Sequence, residues 1–137
     1  MAPILALIGL SALLLTSCAG TRGGHDRVAR RADLIGTWEL VEPHLPKLLG
    51  VKIVTPTSFV WTASDSTTHE IITAVAGECA FGPGGVYIEK PQLVTGNMGS
   101  ELPGSTLTFS ARLEGGLCYH DGVLPNGAKV NEVWRRR

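Results

Sequence analysis

Between Thr106 and Leu113 the chain alternates strictly: Leu107, Phe109, Ala111 and Leu113 fall on one face, Thr106, Thr108, Ser110 and Arg112 on the other. A period of two is that of a strand with one buried face. Apolar-rich segments at Ile35–Glu42, Val51–Val54, Ser58–Ala63, Glu70–Ala80, Gly85–Lys90, Leu117–Val123 and Lys129–Arg135 predict seven more strands. Short polar or Gly/Pro connections divide most of them, among them Asp65-Ser66-Thr67-Thr68, Gly82-Pro83-Gly84, Gly115-Gly116 and Pro125-Asn126-Gly127. The best helical candidate, Leu45–Leu49, is a single turn between prolines and Gly50. The pattern therefore predicts an all-β domain, an antiparallel sheet closed into a small barrel or folded into a sandwich. We expect an up-and-down eight-stranded barrel, which leaves no exposed sheet edges and can enclose side chains or one small ligand. The longest gap, Pro91–Ser105, is read either as a working loop at the barrel mouth or as a mobile connection.

The first residues follow another pattern. Ile4 to Leu15 is a twelve-residue apolar run, too short to span a bilayer, which takes about 20 residues, but suited to the core of a signal peptide. It ends in Leu15-Thr16-Ser17-Cys18, which resembles the lipobox of bacterial lipoproteins, where the cysteine is lipidated and the peptide is cut just before it. The alternative is an ordinary secretory signal with an incidental cysteine, and Met1-Ala2-Pro3 lacks the usual basic start. The resemblance implies residues 1–17 as signal, lipidation of Cys18, and a membrane anchor made of acyl chains, each buried methylene worth about 0.8 kcal/mol. Residues 18–32, rich in Gly and charge, read as the lipidated cysteine and a flexible tether, with 33–137 as the folded domain. Ala19 after Cys18 resembles the pattern sorted to the outer membrane of a Gram-negative cell; in a Gram-positive cell the domain would face outward from the plasma membrane.

Composition narrows the function. The 137 residues carry 12 basic and 12 acidic side chains. The tether and the C-terminal Arg135–Arg137 hold most of the arginines, so that between Asp33 and Trp134 five basic residues stand against eleven acidic ones. A binder of nucleic acid is disfavoured by that balance. All eight aromatic residues lie between Trp38 and Trp134, which places the core there.

Leu34-Ile35-Gly36-Thr37-Trp38 resembles the Gly-x-Trp opening of lipocalin-like (calycin) domains. The segments Lys52–Trp61, Tyr119–Gly122, Leu124–Gly127 and Glu132–Arg135 are similar to a bacterial lipocalin-like family. The resemblance implies that Gly36, Trp38 and Trp134 close the base of a barrel, with Arg135 or Arg136 stacked on Trp38. Where that family has an aromatic or a glycine-rich strand, this chain has Cys118 and Gly77-Glu78-Cys79-Ala80. The departures suggest a Cys79–Cys118 disulfide formed after export, the alternative being two buried free thiols.

Candidate chemistry is sparse. His25, His44, His69 and His120 show no metal-ligand spacing, and no metal or cofactor is expected. Cys118 and His120 share a strand face and form a candidate thiol–imidazole pair. Glu78 and Glu132 stand in apolar strands; an inward carboxylate would have to pair, with Arg112 or Lys90 as candidate cations, whereas an outward one would be solvated. Phe59, Trp61, Phe109 and Tyr119 are the expected lining of the interior, with His120 and Glu132 as polar contacts. These features favour a monomeric envelope lipoprotein binding a small, mainly apolar molecule. The alternatives are a non-enzymatic partner or inhibitor module with a filled interior and an isomerase- or cyclase-like enzyme such as some calycins resemble.

Overall fold

The computed structural model describes residues 26–96 and 101–137. The signal peptide, Cys18 and the tether up to residue 25 lie outside the described residues. The elements are β1 (Arg27–Val28), α1 (Arg31–Leu34), β2 (Gly36–Glu42), β3 (Leu48–Val54), β4 (Ser58–Asp65), β5 (Ile71–Phe81), β6 (Val86–Thr95), β7 (Leu107–Glu114), β8 (Leu117–Val123) and β9 (Lys129–Arg136). From β2 to β9 each strand pairs antiparallel with the next, and β9 pairs back onto β2. The result is the expected closed eight-stranded up-and-down barrel. β1 is a ninth strand, laid against β7 beyond the end of β6.

Strand alternation decides what faces inward. Phe109 pairs with Tyr87, Trp61 with Val75, and Cys118 with Trp134, so the large side chains of neighbouring strands meet inside the barrel. Trp134, Tyr87 and Phe59 are fully buried there. Leu107, Phe109 and Ala111 are all buried and Thr108 and Ser110 exposed, as their alternation requires.

Three local expectations are corrected. The segment Leu45–Leu49 forms no helix: Leu48 N–H donates to the Leu45 carbonyl in a turn that leads directly into β3. β6 continues through Pro91 to Thr95. A proline fits here because the pairing with β5 shifts between Ala76 and Gly77, and Gly77, opposite Pro91, has no Cβ to overlap the Lys90 carbonyl. The expected tether also ends early. Ala29 is buried and donates its N–H to the Ala111 carbonyl, while Arg27 and the Arg30 N–H both bond the Asp33 carboxylate. Residues 27–32 are thus part of the folded domain, held to the end of the barrel where β2 begins.

That end is the closed base. Trp38 is buried and donates its indole N–H to the Leu34 carbonyl at 2.8 Å. The Arg136 guanidinium stacks over the Trp38 ring at 4.3 Å and donates to the carbonyls of Ile35 and Asp33. Gly36, at φ +144°, lies where any Cβ would collide with that guanidinium. Arg135, one residue out of phase on β9, points outward to Glu39 at 3.1 Å and takes no part in closure. Trp134 is buried in the interior above the base.

Candidate functional site

The other end is the mouth, where Leu102, shortly before β7, is buried. Beneath Leu102, Leu124 and Val130 lies a cavity of about 80 Å³. Its walls are Phe59, Trp61, Val75, Leu107 and Phe109, and its polar side is formed by Lys52, Glu89 and Glu132. These three side chains come from β3, β6 and β9, and the alternation of each strand turns them inward: Lys52 lies between Gly50 and Val54, Glu89 follows Tyr87, and Glu132 precedes Trp134.

Lys52 Nζ contacts Glu89 Oε1 at 2.8 Å and Glu132 Oε2 at 3.5 Å. The same Glu132 oxygen accepts the Trp134 indole N–H at 2.9 Å. The ammonium also stands 4.7 Å from the Trp134 ring centroid and 5.5 Å from that of Phe109, an aromatic setting that attracts a cation. Lys52 and Glu89 are almost without solvent contact, 2% and 4% exposed. Burial alone would push the Lys52 ammonium down, but the facing carboxylates of Glu89 and Glu132 outweigh it and hold its pKa above the ordinary lysine value.

Around this ion cluster several polar atoms lack partners. Both ring nitrogens of His120, the Tyr87 hydroxyl and the Trp61 indole N–H are buried with no hydrogen bond among the described residues. His120 packs against the rings of Tyr87, Phe109 and Trp134 at centroid distances of 5.3, 5.7 and 6.5 Å. Burial first, and the Lys52 ammonium second, push its pKa well below the usual histidine value, so the imidazole is neutral. Burial, followed by the nearby Glu89 carboxylate, pushes the Tyr87 phenol far up. Orphaned buried polar atoms are uncommon in proteins and mark places where packing was not the sole constraint.

The structure distributes the expected site residues unevenly. Phe59, Trp61, Phe109 and Glu132 line the cavity. His120 is inside, in the layer behind the cavity wall, while Tyr119 is on the outer surface beneath Arg112, whose guanidinium lies 4.0 Å from its ring centroid. Neighbouring residues on a strand point to opposite faces, so only one of the two could have lined the interior. Glu78 is exposed, opposite Lys90 on β6, and the inward Glu132 pairs with Lys52, not with Arg112 or Lys90. Lys52 and Glu89 were missed, although extending the period of two through Gly50-Val51-Lys52-Ile53-Val54 and Tyr87-Ile88-Glu89 would have turned both inward.

The disulfide is also corrected: Cys79 and Cys118 are free and buried. They sit on β5 and β8 with two strands between them, and the register places Cys79 level with Leu107 of β7 but Cys118 level with Leu113, six residues along, whereas a disulfide needs Cα atoms within about 7 Å. Cys79 Sγ lies 3.4 Å from the Thr55 carbonyl. Burial pushes the Cys118 thiol up to about 12 and raises that of Cys79 as well, so neither is a ready thiolate.

Compared with protein-family models, curated proteins and solved structures, the chain matches none of them.

Proposed function

We propose that this protein is a lipid-anchored envelope protein whose lipocalin-like barrel binds a small, mainly apolar molecule without transforming it. The observation that carries the reading is the cavity beneath Leu102 and Leu124, walled by apolar and aromatic side chains and furnished on one side with a few converging polar groups. That composition is usual for small-molecule sites. The membrane part rests on the sequence Leu15-Thr16-Ser17-Cys18. The domain acts as a monomer, held at the bilayer through Cys18, on the outer membrane facing the periplasm or on the outer face of the plasma membrane.

Native mass spectrometry of the protein released from its own envelope tests the binding role. A retained small molecule, lost in Trp61→Ala, is the expected result; an empty wild-type protein overturns it. Incorporation of a labelled fatty acid, abolished in Cys18→Ser, tests the anchor.

A second reading, a partner-binding module, is favoured by one feature. Ile53, Val60, Ala76 and Leu93 are opposed in register across β3 to β6 on the outer wall, and Ile53, Val60 and Leu93 are 46%, 40% and 60% exposed. A partner captured by the wild type and lost on replacing Val60 and Leu93 by Ser would support it.

A further inference from the structure

The charge of the cavity indicates what kind of molecule fits it. Two carboxylates, Glu89 and Glu132, face a single ammonium, Lys52, and the neighbouring His120 is neutral. The acids of the buried group thus outnumber its single cation by two to one. Lys52 is already engaged by both acids and by the Trp134 ring, so among the described lining residues no cation remains to receive a ligand carboxylate or phosphate. An anion entering here would be repelled by Glu132 in a low-dielectric space, where like charges are most costly. Glu132, by contrast, engages Lys52 and Trp134 through Oε2 alone and lies on the cavity wall.

The mouth has the same imbalance. Among the described residues, the strand ends and connections there carry Glu42, Asp65, Glu70 and Glu101 against Lys47 and Lys129. An acidic rim above a cavity with more acids than cations raises the local concentration of cations. The aromatic walls Phe59, Trp61 and Phe109 further favour a positive headgroup over a neutral one. The unpartnered Trp61 N–H is a dipole whose preference for an oxygen is weaker than the pull of a full charge. Size sets the remaining limit: about 80 Å³ is roughly half the ~150 Å³ that admits benzene, space for three or four heavy atoms.

We propose that the cavity is selective for a small organic cation, a primary ammonium group placed against Glu132 with its short alkyl chain directed toward Leu102 and Leu124. This rests on the ligand-binding reading above and specifies its chemistry.

Three probes of nearly equal size, n-propylammonium, n-propanol and propionate, separate the possibilities. Each is titrated into the full chain while indole N–H resonances are followed by NMR. Trp61 reports on the cavity, and Trp38, bonded to Leu34 at the base, is the internal control. The expected result is binding of n-propylammonium at least tenfold tighter than n-propanol, no binding of propionate, and shifts at Trp61 but not at Trp38. Glu132→Gln should reduce the ammonium advantage at least tenfold; should that variant fail to fold, the wild-type ranking alone decides. If n-propanol or propionate binds as well as the ammonium, the cation proposal falls while the binding reading stands. If none of the three moves Trp61, the cation proposal also falls, and a molecule retained in native mass spectrometry would show that the binding reading survives.

Discussion

At the base of the barrel, Trp38 donates to Leu34, Arg136 lies on Trp38 and donates to two carbonyls, and Arg27 and Arg30 meet Asp33. In the interior above it, one ammonium is divided between two carboxylates, and the polar atoms of Trp61, Tyr87 and His120 have no hydrogen-bond partner among the described residues. The base pairs its polar groups, of which only the Trp38 indole is deeply buried, whereas the interior buries both paired and unpaired ones. A fold under selection for stability alone would fill the centre with apolar side chains, because a buried ion cluster seldom repays its desolvation. The contrast ties closure to the base, while the interior is where the proposed binding role would be carried.

The sharpest way to break this contrast is to remove one member of the ion cluster. Lys52→Met leaves Glu89 and Glu132 buried without their cation and should cost about 3–5 kcal/mol in urea unfolding. Replacing the cluster together, as Lys52→Met, Glu89→Met and Glu132→Gln, should restore stability to the wild-type level or above, since Gln keeps an acceptor for Trp134. If the triple variant is as unstable as the single one, the cluster is structural and the contrast fails.

His120 gives the next largest effect. Its folded pKa is depressed while the unfolded value is ordinary, so below about pH 6.5 the unfolded chain binds a proton that the folded one refuses. Stability is therefore fully present at neutral pH and falls as the pH drops toward 5, with a ceiling of about 2 kcal/mol there set by the ordinary unfolded value. The measurement is urea unfolding between pH 7 and 5. In His120→Phe, which keeps an aromatic ring against Tyr87, Phe109 and Trp134, this loss should vanish.

At the base a smaller effect separates two adjacent arginines. Arg136→Ala removes the stacking on Trp38 and two backbone hydrogen bonds and should cost about 1–2 kcal/mol. Arg135→Ala removes an exposed ion pair with Glu39 and should cost under about 1 kcal/mol. Equal losses would show that Arg136 does not close the base.

The same contrast explains what could be read from the chain. The strands were legible because apolar alternation is a local property, and β8 was read with the bounds it has in the structure, Leu117–Val123. Gly36 and Trp38 were legible as a motif. The ion cluster was not, because charged side chains are ordinarily at the surface; only the phase of the strand, not the residue type, shows that Lys52 and Glu89 turn inward. β1 and α1 were hidden for a similar reason. Arg27, Arg30, Arg31 and Asp33 resemble tether composition, and their order comes from partners far along the chain, such as Ala111 for Ala29 and Pro56 for Arg31. The cysteines misled because residue type cannot give the distance across a barrel.

The least energetic test is chemical and concerns those cysteines. Cys79 and Cys118 are buried in the interior, and burial raises the pKa of both. Thiolate is the reactive form, so in the folded protein both should resist a maleimide or a disulfide reagent at pH 7 to 8. A Cys18→Ser variant isolates the pair. Its unfolded, unreduced form should yield two reactive thiols, whereas its native form should react only as fast as it opens. If the unfolded form yields none and its mass rises by two hydrogens on reduction, the cysteines are bridged, and the strands that carry them lie closer across the barrel than β6 and β7 allow. Rapid reaction of the native form would place a thiol within reach of solvent and show that the interior opens more readily than the sealed base implies.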